Sequence, residues 1–481
     1  MSRSLFPRWL TLLVLALAGW PGSAPAEAIL HAFNWRYDEI EARAADIAAR
    51  GYGAVLVAPP LKSEGSAWWA RYQPQDYRVI DHPLGNTESL RALANRLRPL
   101  GVKLYADIVI NHMANEAAQR PDLDYPGQRV LSQYAARPSD FERQRLFGDL
   151  GTNLLAAADF HPAGCIQDYF DLRQVQTLRL CGGGGDPGLP DLNDHDRVVA
   201  AQRAYLLALK QIGISGFRID AAKHMGEKHL VRVLDGVIDG GDFVFGELIT
   251  GGGAGDREYA LFLEPWLSRT EWAAYDFPLH AMLRRGFGFG GDLSILADPL
   301  AGGQELPGAR AVTFAVTHDI PNNQGFRGLL LDPVDETLAY AYLFGRGGGS
   351  PLVYSDHNES GDGRWVDAYR REDLTAMIRF HNAVAGEAEQ RTLASGACFL
   401  AFRRGSLGLV AINKCGHSVE FEVEAGGDKL WQQTPYRDVL SGDTLVLQSR
   451  RQRLMLPARS ARMWLREPGS ELRQPQSGLP R

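Results

Sequence analysis

Clusters of lysine and arginine are missing from this 481-residue chain, and basic charge is in deficit: 51 basic residues stand against 57 acidic ones, a formal charge of -6. Binding to a phosphate backbone or an anionic lipid surface needs grouped cations that displace counterions. Nucleic acid and membrane are therefore excluded as partners. Long apolar runs are scarce as well. The longest, Trp9 to Ala18, is shorter than the roughly 20 residues of a bilayer span. It follows Arg3 and Arg8 and precedes Ala24-Pro25-Ala26, the pattern of a cleavable export signal. Residues 1–26 are expected to be removed, leaving a secreted or periplasmic protein. Zinc-hydrolase signatures are absent too: there is no HExxH, and no HxH on the first strand-like run. No internal repeat is found.

Cysteine is limited to four, Cys165, Cys181, Cys398 and Cys415. Four cysteines admit three connectivities, and an exported chain can oxidise them. They fall into two sequence-local pairs, so local pairing is expected over the alternative of free buried thiols. CFLAFRRGSLGLVAINKC reads as a hairpin with its turn at Ser406-Leu407. That register sets Cys398 directly opposite Cys415 in a non-hydrogen-bonded pair, with Cα atoms about 4.5 Å apart.

What the chain does contain is 45% apolar residues, enough for a large core and more than one domain. Eight β-rich runs recur: AILHAF, GAVLVA, VKLYADIVI, GISGFRID, DFVFGEL, EWAAYDF, AVTFAV and SPLVYSD. Most are continuously apolar, as parallel strands covered on both faces must be. Amphipathic stretches such as ESLRALANRLRPL and RVVAAQRAYLLALKQI separate several of them. The fold class expected is α/β, a (β/α)8 TIM barrel over 27–112 and 193–385. The Gly-, Pro- and Asp-rich stretch 113–192 is too long for a structureless loop and is expected to be an inserted subdomain. From 386 to 466 β-segments follow one another without helices, which implies an antiparallel C-terminal β-domain. Residues 467–481 are polar and Pro-rich and are expected to be a disordered tail.

Barrels of this kind place chemistry at the C-terminal ends of their strands. The third run ends with Asp107, Asn111 and His112, the fourth with Arg218 and Asp220, the fifth with Glu247, and the seventh with His318 and Asp319. The period-two rule turns Arg218 and Asp220 to one face, which must be the barrel interior. An Arg-Asp pair can simply stitch a barrel shut. Three acids converging from different strands repel one another and lose solvation, so acid/base and nucleophilic use explains them better. Glycoside hydrolysis needs such a set: a nucleophilic carboxylate, a carboxyl kept protonated for the leaving oxygen, and groups that steady an oxocarbenium-like transition state. Arg218 is expected to hold Asp220 ionised, and apolar, acidic surroundings to raise Glu247 into the acid role. AWWARYQPQDY adds a sugar-binding signal: two adjacent tryptophans cannot both point inward from an extended chain, and exposed ring faces suit pyranose stacking.

In combination these residues resemble the α-amylases of glycoside hydrolase family 13. DIVINH, LPDLN, GFRIDAAKH, FGEL and FAVTHD occur in the family's order, and WWARYQP is similar to a sugar-binding segment of animal-type α-amylases. The resemblance covers Ala28 to about Leu465 and implies that the C-terminal β-domain is a β-sandwich. It implies an endo-acting hydrolase of α-1,4-glucan, a polysaccharide or oligosaccharide, acting as a monomer. The roles it implies are Asp220 as nucleophile, Glu247 as general acid/base and Asp319 as transition-state stabiliser. His112, Arg218 and His318 would surround the scissile sugar, Tyr72 would stack on it, and Gln73, Trp68 and Trp69 would lie nearby. Lys223 and His224 would meet the leaving side. A structural calcium is also implied, held by Asn111, Asp191 and the His224 carbonyl; oxygen ligands suit that ion. Chloride is not expected, because Thr317 stands where chloride-activated relatives carry Asn and no arginine matches in SPLVYSD. The competing readings are an α-glucan transglycosylase, with the same catalytic groups, and an inactive glucan-binding protein, which would usually lack the acids.

Overall fold

A computed structural model describes residues 27–387, 389–424, 434–449 and 451–467. The expected signal segment, and all of the expected tail beyond residue 467, lie outside the described residues.

Every one of the eight runs supplies a strand of one closed parallel barrel: β1 (Ile29–Ala32), β2 (Ala54–Val57), β3 (Lys103–Ile108), β4 (Gly216–Ile219), β5 (Phe243–Gly246), β6 (Ala273–Tyr275), β7 (Ala311–Phe314) and β8 (Ser350–Ser355). Sequence neighbours pair in parallel, and β8 closes onto β1. The apolar runs are explained by two faces of burial. Leu30, Val55, Leu104, Phe217, Val244 and Val353 point outward into the layer shared with the helices. Their neighbours Ile29, Leu56, Tyr105, Phe245, Val312 and Leu352 fill the interior. That interior is packed by unequal partners. Gly216 is the register partner of Tyr105, and a Cβ on it would sit 2.2 Å from the Tyr105 ring. Glycine there makes room for the tyrosine.

The predicted amphipathic stretches are helices at Thr87–Leu97 and Asp196–Ile212. The first starts at Asn86, whose side chain accepts the Ser89 N–H at 2.9 Å. The second lays Val198, Tyr205, Leu206, Leu209 and Ile212 onto the barrel. Between β3 and this helix the chain forms short helices, Gln128–Ala136, Pro138–Gln144 and Leu172–Thr177. A small apolar cluster of Val79, Val130, Tyr134 and Phe141 gives the first two a core of their own.

After the helix Glu372–Val384 the described chain carries eight strands, β9 (Gln390–Ser395), β10 (Phe399–Arg404), β11 (Gly408–Asn413), β12 (Val419–Glu424), β13 (Pro435–Asp438), β14 (Thr444–Val446), β15 (Arg451–Leu456) and β16 (Ser460–Arg466). They form a six-stranded antiparallel sheet, β9-β10-β11-β16-β13-β14, and the pair β12-β15. Leu409, Phe421, Tyr436, Leu456 and Trp464 join the two sheets in one core.

Both local disulfides are present, Cys165–Cys181 and Cys398–Cys415, and no cysteine is left free. The expected hairpin register is off by one residue. Arg404 pairs with Gly408, so the turn spans Gly405 to Leu407 and not Ser406-Leu407 alone. Gly405 adopts φ +46°, the left-handed residue of a three-residue hairpin loop. Cys398 therefore falls level with Lys414, and the disulfide runs diagonally to Cys415 with a Cα separation of 5.2 Å.

Candidate active site

Arg218 and Asp107 are register partners on β4 and β3, so both side chains enter the barrel at one level. The guanidinium Nη1 donates to Asp107 Oδ1 and Oδ2 at 2.8 Å each, and to Asp220 Oδ1 at 2.8 Å. Its Nη2 donates to Glu247 Oε1 at 2.5 Å. One cation thus joins carboxylates from the ends of three strands. Asp319, after β7, completes the group through a side-chain hydrogen bond with Glu247. The predicted acids do converge.

Asp220 is followed by an unusual backbone. Ala221 sits at φ 50°, ψ 33°, a left-handed conformation costing an L-residue about 1–2 kcal/mol. The bend turns the Ala221 N–H to donate to Glu247 Oε2 at 3.1 Å. Strain at the end of β4 therefore positions the acid at the end of β5.

Four carboxyls around one guanidinium cannot all ionise cheaply out of water. Arg218 does not hold Asp220 in the ordinary ionised range as expected: burial pushes it up to about 7 against the pull of Arg218, with the charges of Glu247 and Asp319 adding to the rise. Asp107 is raised to about 7 by burial, again opposed by Arg218. Burial also raises Glu247, Arg218 draws it back, and the Asp319 charge raises it further. Burial raises Asp319 too, opposed by Arg218 and by its hydrogen bond with Glu247.

Aromatic rings wall the cluster. His318 lies parallel to Tyr72, ring centres 5.3 Å apart, and stacks on Phe33 at 4.7 Å. The Tyr72 O–H donates to Asp107 Oδ2 at 2.8 Å, and His112 Nε2 lies 3.1 Å from the Tyr72 carbonyl. Trp68 stands edge-on to Tyr72 and His318. Trp69 is 54% exposed. The segment Trp68–Tyr72 is a 3₁₀ turn, not the extended chain assumed from sequence. Three residues per turn still send consecutive side chains different ways, so the two tryptophans separate as expected. Gln73 Oε1 accepts the Asn115 N–H at 2.7 Å, which ties this turn to the chain after β3. Lys223 Nζ donates to the Ile249 carbonyl at 2.9 Å and to Glu258 Oε1 at 2.8 Å. His224 is buried, with Nδ1 3.1 Å from the Val175 carbonyl.

Asn111 and Asp191 meet where β3 leads into the inserted stretch. The Leu192 N–H donates to the Asn111 carbonyl at 2.9 Å, and the Asn111 side chain bonds Asp191. Burial raises Asp191 to about 6, opposed by His161, whose Nδ1 is 2.6 Å from Oδ2. Asp191 Oδ1 is buried without a partner among the described residues. No group of three or more His, Cys, Asp or Glu side chains placed to hold a metal occurs among the described residues.

Two contributors went unassigned in the sequence. Asp107 sits inside an apolar strand, and the register with Arg218 is the signal that marks it. His161 belongs to no motif and meets Asp191 only through the fold.

Comparison with known proteins bears on this geometry. The family model "Alpha amylase, catalytic domain" matches residues 47–135. The α-amylase of Aeromonas hydrophila is 54% identical over 452 residues, covering 93% of this chain and 97% of that protein. The α-amylase of Thermomonospora curvata is 29% identical over 444 residues, covering 84% of this chain and 67% of that one. In fold, α-amylase I of Eisenia fetida, solved as a glutamate-to-glutamine mutant with maltohexaose, matches at TM-score 0.71 and 21% identity, covering 91% and 97% of the two chains. A cyclomaltodextrin glucanotransferase matches at TM-score 0.70 and 18% identity, covering 92% and 100%. At those identities the solved structures speak for the fold alone, whereas the Aeromonas match extends over nearly all of both sequences. The chain belongs to the α-amylase family and is an enzyme that hydrolyses starch-like glucans.

Proposed function

We propose that the protein is an exported, retaining hydrolase of α-1,4-glucosidic bonds in starch, glycogen or maltooligosaccharides, with Asp220 as nucleophile, Glu247 as acid/base and Asp319 as stabiliser. One observation carries the assignment: Arg218 bridges Asp220 and Glu247 at the ends of neighbouring strands, and burial raises Glu247 towards the acid role. Asp220 attacks the anomeric carbon, the glycosidic C–O bond breaks, and the Glu247 proton passes to the leaving oxygen. Glu247, now a carboxylate, takes a proton from water as that water's oxygen displaces Asp220 from the same carbon. Arg218 serves both steps by neutralising whichever carboxylate is free. Asp319, facing the same sugar from the end of β7, is placed to steady the oxocarbenium-like transition state. Two carboxyls on a single guanidinium are close neighbours, which suits the separation of about 5–5.5 Å in retaining enzymes better than the 6.5–9.5 Å of inverting ones. Tyr72, stacked on one face by His318, Trp68 and Trp69 supply ring surface for glucose. Proton NMR of the first products from a maltooligosaccharide should show the α-anomer; β-configured first products would refute the mechanism.

Export is supported by the two disulfides, and among the described residues no helix is long and apolar enough to cross a membrane. The inserted stretch 113–192 is taken as a subdomain that walls the cleft. A calcium site between it and the barrel fits the residues present: the unpartnered Asp191 Oδ1, the Asn111 side-chain oxygen and the His224 carbonyl are hard oxygen donors. When bound, the ion would supply cross-linking of the two segments and no chemistry. Chelation should then lower the melting temperature and added Ca²⁺ restore it, and an unchanged melt after exhaustive chelation counts against the site. Thr317 beside His318 supports activity that does not depend on chloride.

A further inference from the structure

Two loops outside the acid cluster meet each other. One, in the inserted stretch, carries Tyr169 and Phe170, which are 43% and 42% exposed. The other, the glycine-rich loop after β5, carries Arg257 and Glu258. The Arg257 guanidinium carbon lies 4.5 Å from the centre of the Phe170 ring. Alongside, Glu258 holds Lys223, whose Nζ lies 5.7 Å from the Tyr169 ring centre, and Tyr169 stands edge-on to His224. Phe170–Arg257 and Tyr169–Lys223–Glu258 therefore tie the inserted stretch to the loops after β4 and β5.

Both loops are held in place by their own backbone. Asp168 Oδ1 accepts the Phe170 N–H at 2.8 Å, and the Cys165–Cys181 disulfide closes the segment that contains it. On the other side Asp256 Oδ1 accepts the Glu258 and Tyr259 N–H groups at 2.9 and 3.0 Å. The Ala254 N–H donates to the Gly303 carbonyl at 2.7 Å. A Cβ on Gly253 would sit 2.3 Å from that carbonyl, so this approach requires glycine. The ring and the cation are thus brought together before any ligand arrives.

The two loops flank Lys223 and touch each other. We propose that the Phe170–Arg257 contact closes the leaving end of the cleft and limits how many sugars lie on the reducing-end side of the bond that is cut. This rests on the reading of Lys223 and His224 as the leaving side. The leaving fragment keeps the original reducing end, because Asp220 takes the anomeric carbon of the other fragment.

Maltoheptaose labelled at its reducing end makes the contact testable, since the length of each labelled product counts the leaving-side sugars. Arg257→Ala and Phe170→Ala should each raise the ratio of long to short labelled products about two- to fivefold, the weight of an exposed cation–π contact. Total turnover and melting temperature should stay near those of the wild type, because both side chains are exposed. Arg257→Lys, which keeps a cation over the ring, should retain the wild-type pattern. An unchanged pattern in both alanine variants, or a shift to shorter labelled products as expected for an open stacking platform, overturns the proposal. Wild-type enzyme that does not cleave maltoheptaose, or an Asp220→Asn variant that still does, refutes the reading of the site itself and the closure with it.

Discussion

Among the described residues two arginine–aspartate pairs two residues apart in sequence are buried, and only one belongs to the acid cluster. Asp76 and Arg78 form a sealed pair. Asp76 Oδ1 accepts the Arg78 N–H at 2.9 Å and Nε at 3.0 Å, and Oδ2 accepts Nη2 at 2.9 Å and the Tyr134 O–H at 3.1 Å. The remaining Arg78 donors go to the Asp149 and Thr152 carbonyls of the inserted stretch. Charge is balanced one to one and every guanidinium nitrogen has an acceptor, so the pair fastens the insertion to the barrel. Arg218 faces three carboxylates instead, and its Nε has no partner among the described residues. Pairing alone does not separate a fastening from a reactive site. An excess of acid over base, at strand ends, does.

The comparison is tested hardest by removing one charge from each pair. Asp220→Asn should lower kcat on starch by about 10⁴-fold or more, because nucleophile and acid act in dependent steps. Asp76→Asn should leave kcat within a few-fold and destabilise the protein by about 3–5 kcal/mol, since it strands a buried guanidinium. Steady-state kinetics and denaturant melts on both variants decide this. Loss of kcat without loss of stability in Asp76→Asn would erase the distinction.

A smaller effect sharpens it. Asp220 is raised in the folded state from 3.8 to about 7, by burial and the neighbouring acids and in spite of Arg218. A group raised in this way favours folding fully below its unfolded pKa and loses that contribution as pH climbs through the folded value. The window is therefore about pH 4 to 7. At pH 8 the wild type carries a penalty that Asp220→Asn lacks, so the variant should be the more stable by about 1 kcal/mol or more, and near pH 4 the difference should vanish. A variant less stable at pH 8 than the wild type would show Arg218 and Asp220 to be a second structural pair.

The barrel was legible because parallel strands buried on both faces are written as continuous apolar runs, and every such run proved to be a strand. The acids were legible because a charge at the end of an apolar run has few bland explanations. Elsewhere the one-dimensional signal was weaker than the constraint. β9 carries a register shift between Thr392 and Ala394 that breaks its alternation, and β13 is short and opens on Pro435, so neither has a clean strand signature in sequence. The Cys398 hairpin turned on a glycine at positive φ, which moved the register by one residue. Asp107 stood out at the end of the third run but had no role until β4 set Arg218 beside it, and His161 reaches Asp191 from thirty residues away.

Asp220 as the group that attacks the sugar and Glu247 as the group that gives the proton are separable by experiment. An α-glucosyl fluoride needs little protonation of its leaving group, so Glu247→Gln should still form the covalent intermediate from it at an appreciable rate. Mass spectrometry after brief exposure of that variant should find the glycosyl adduct on the peptide containing Asp220, and Asp220→Asn should form none. An adduct on Asp319, or near-wild-type turnover of the fluoride by Asp220→Asn, would contradict the account.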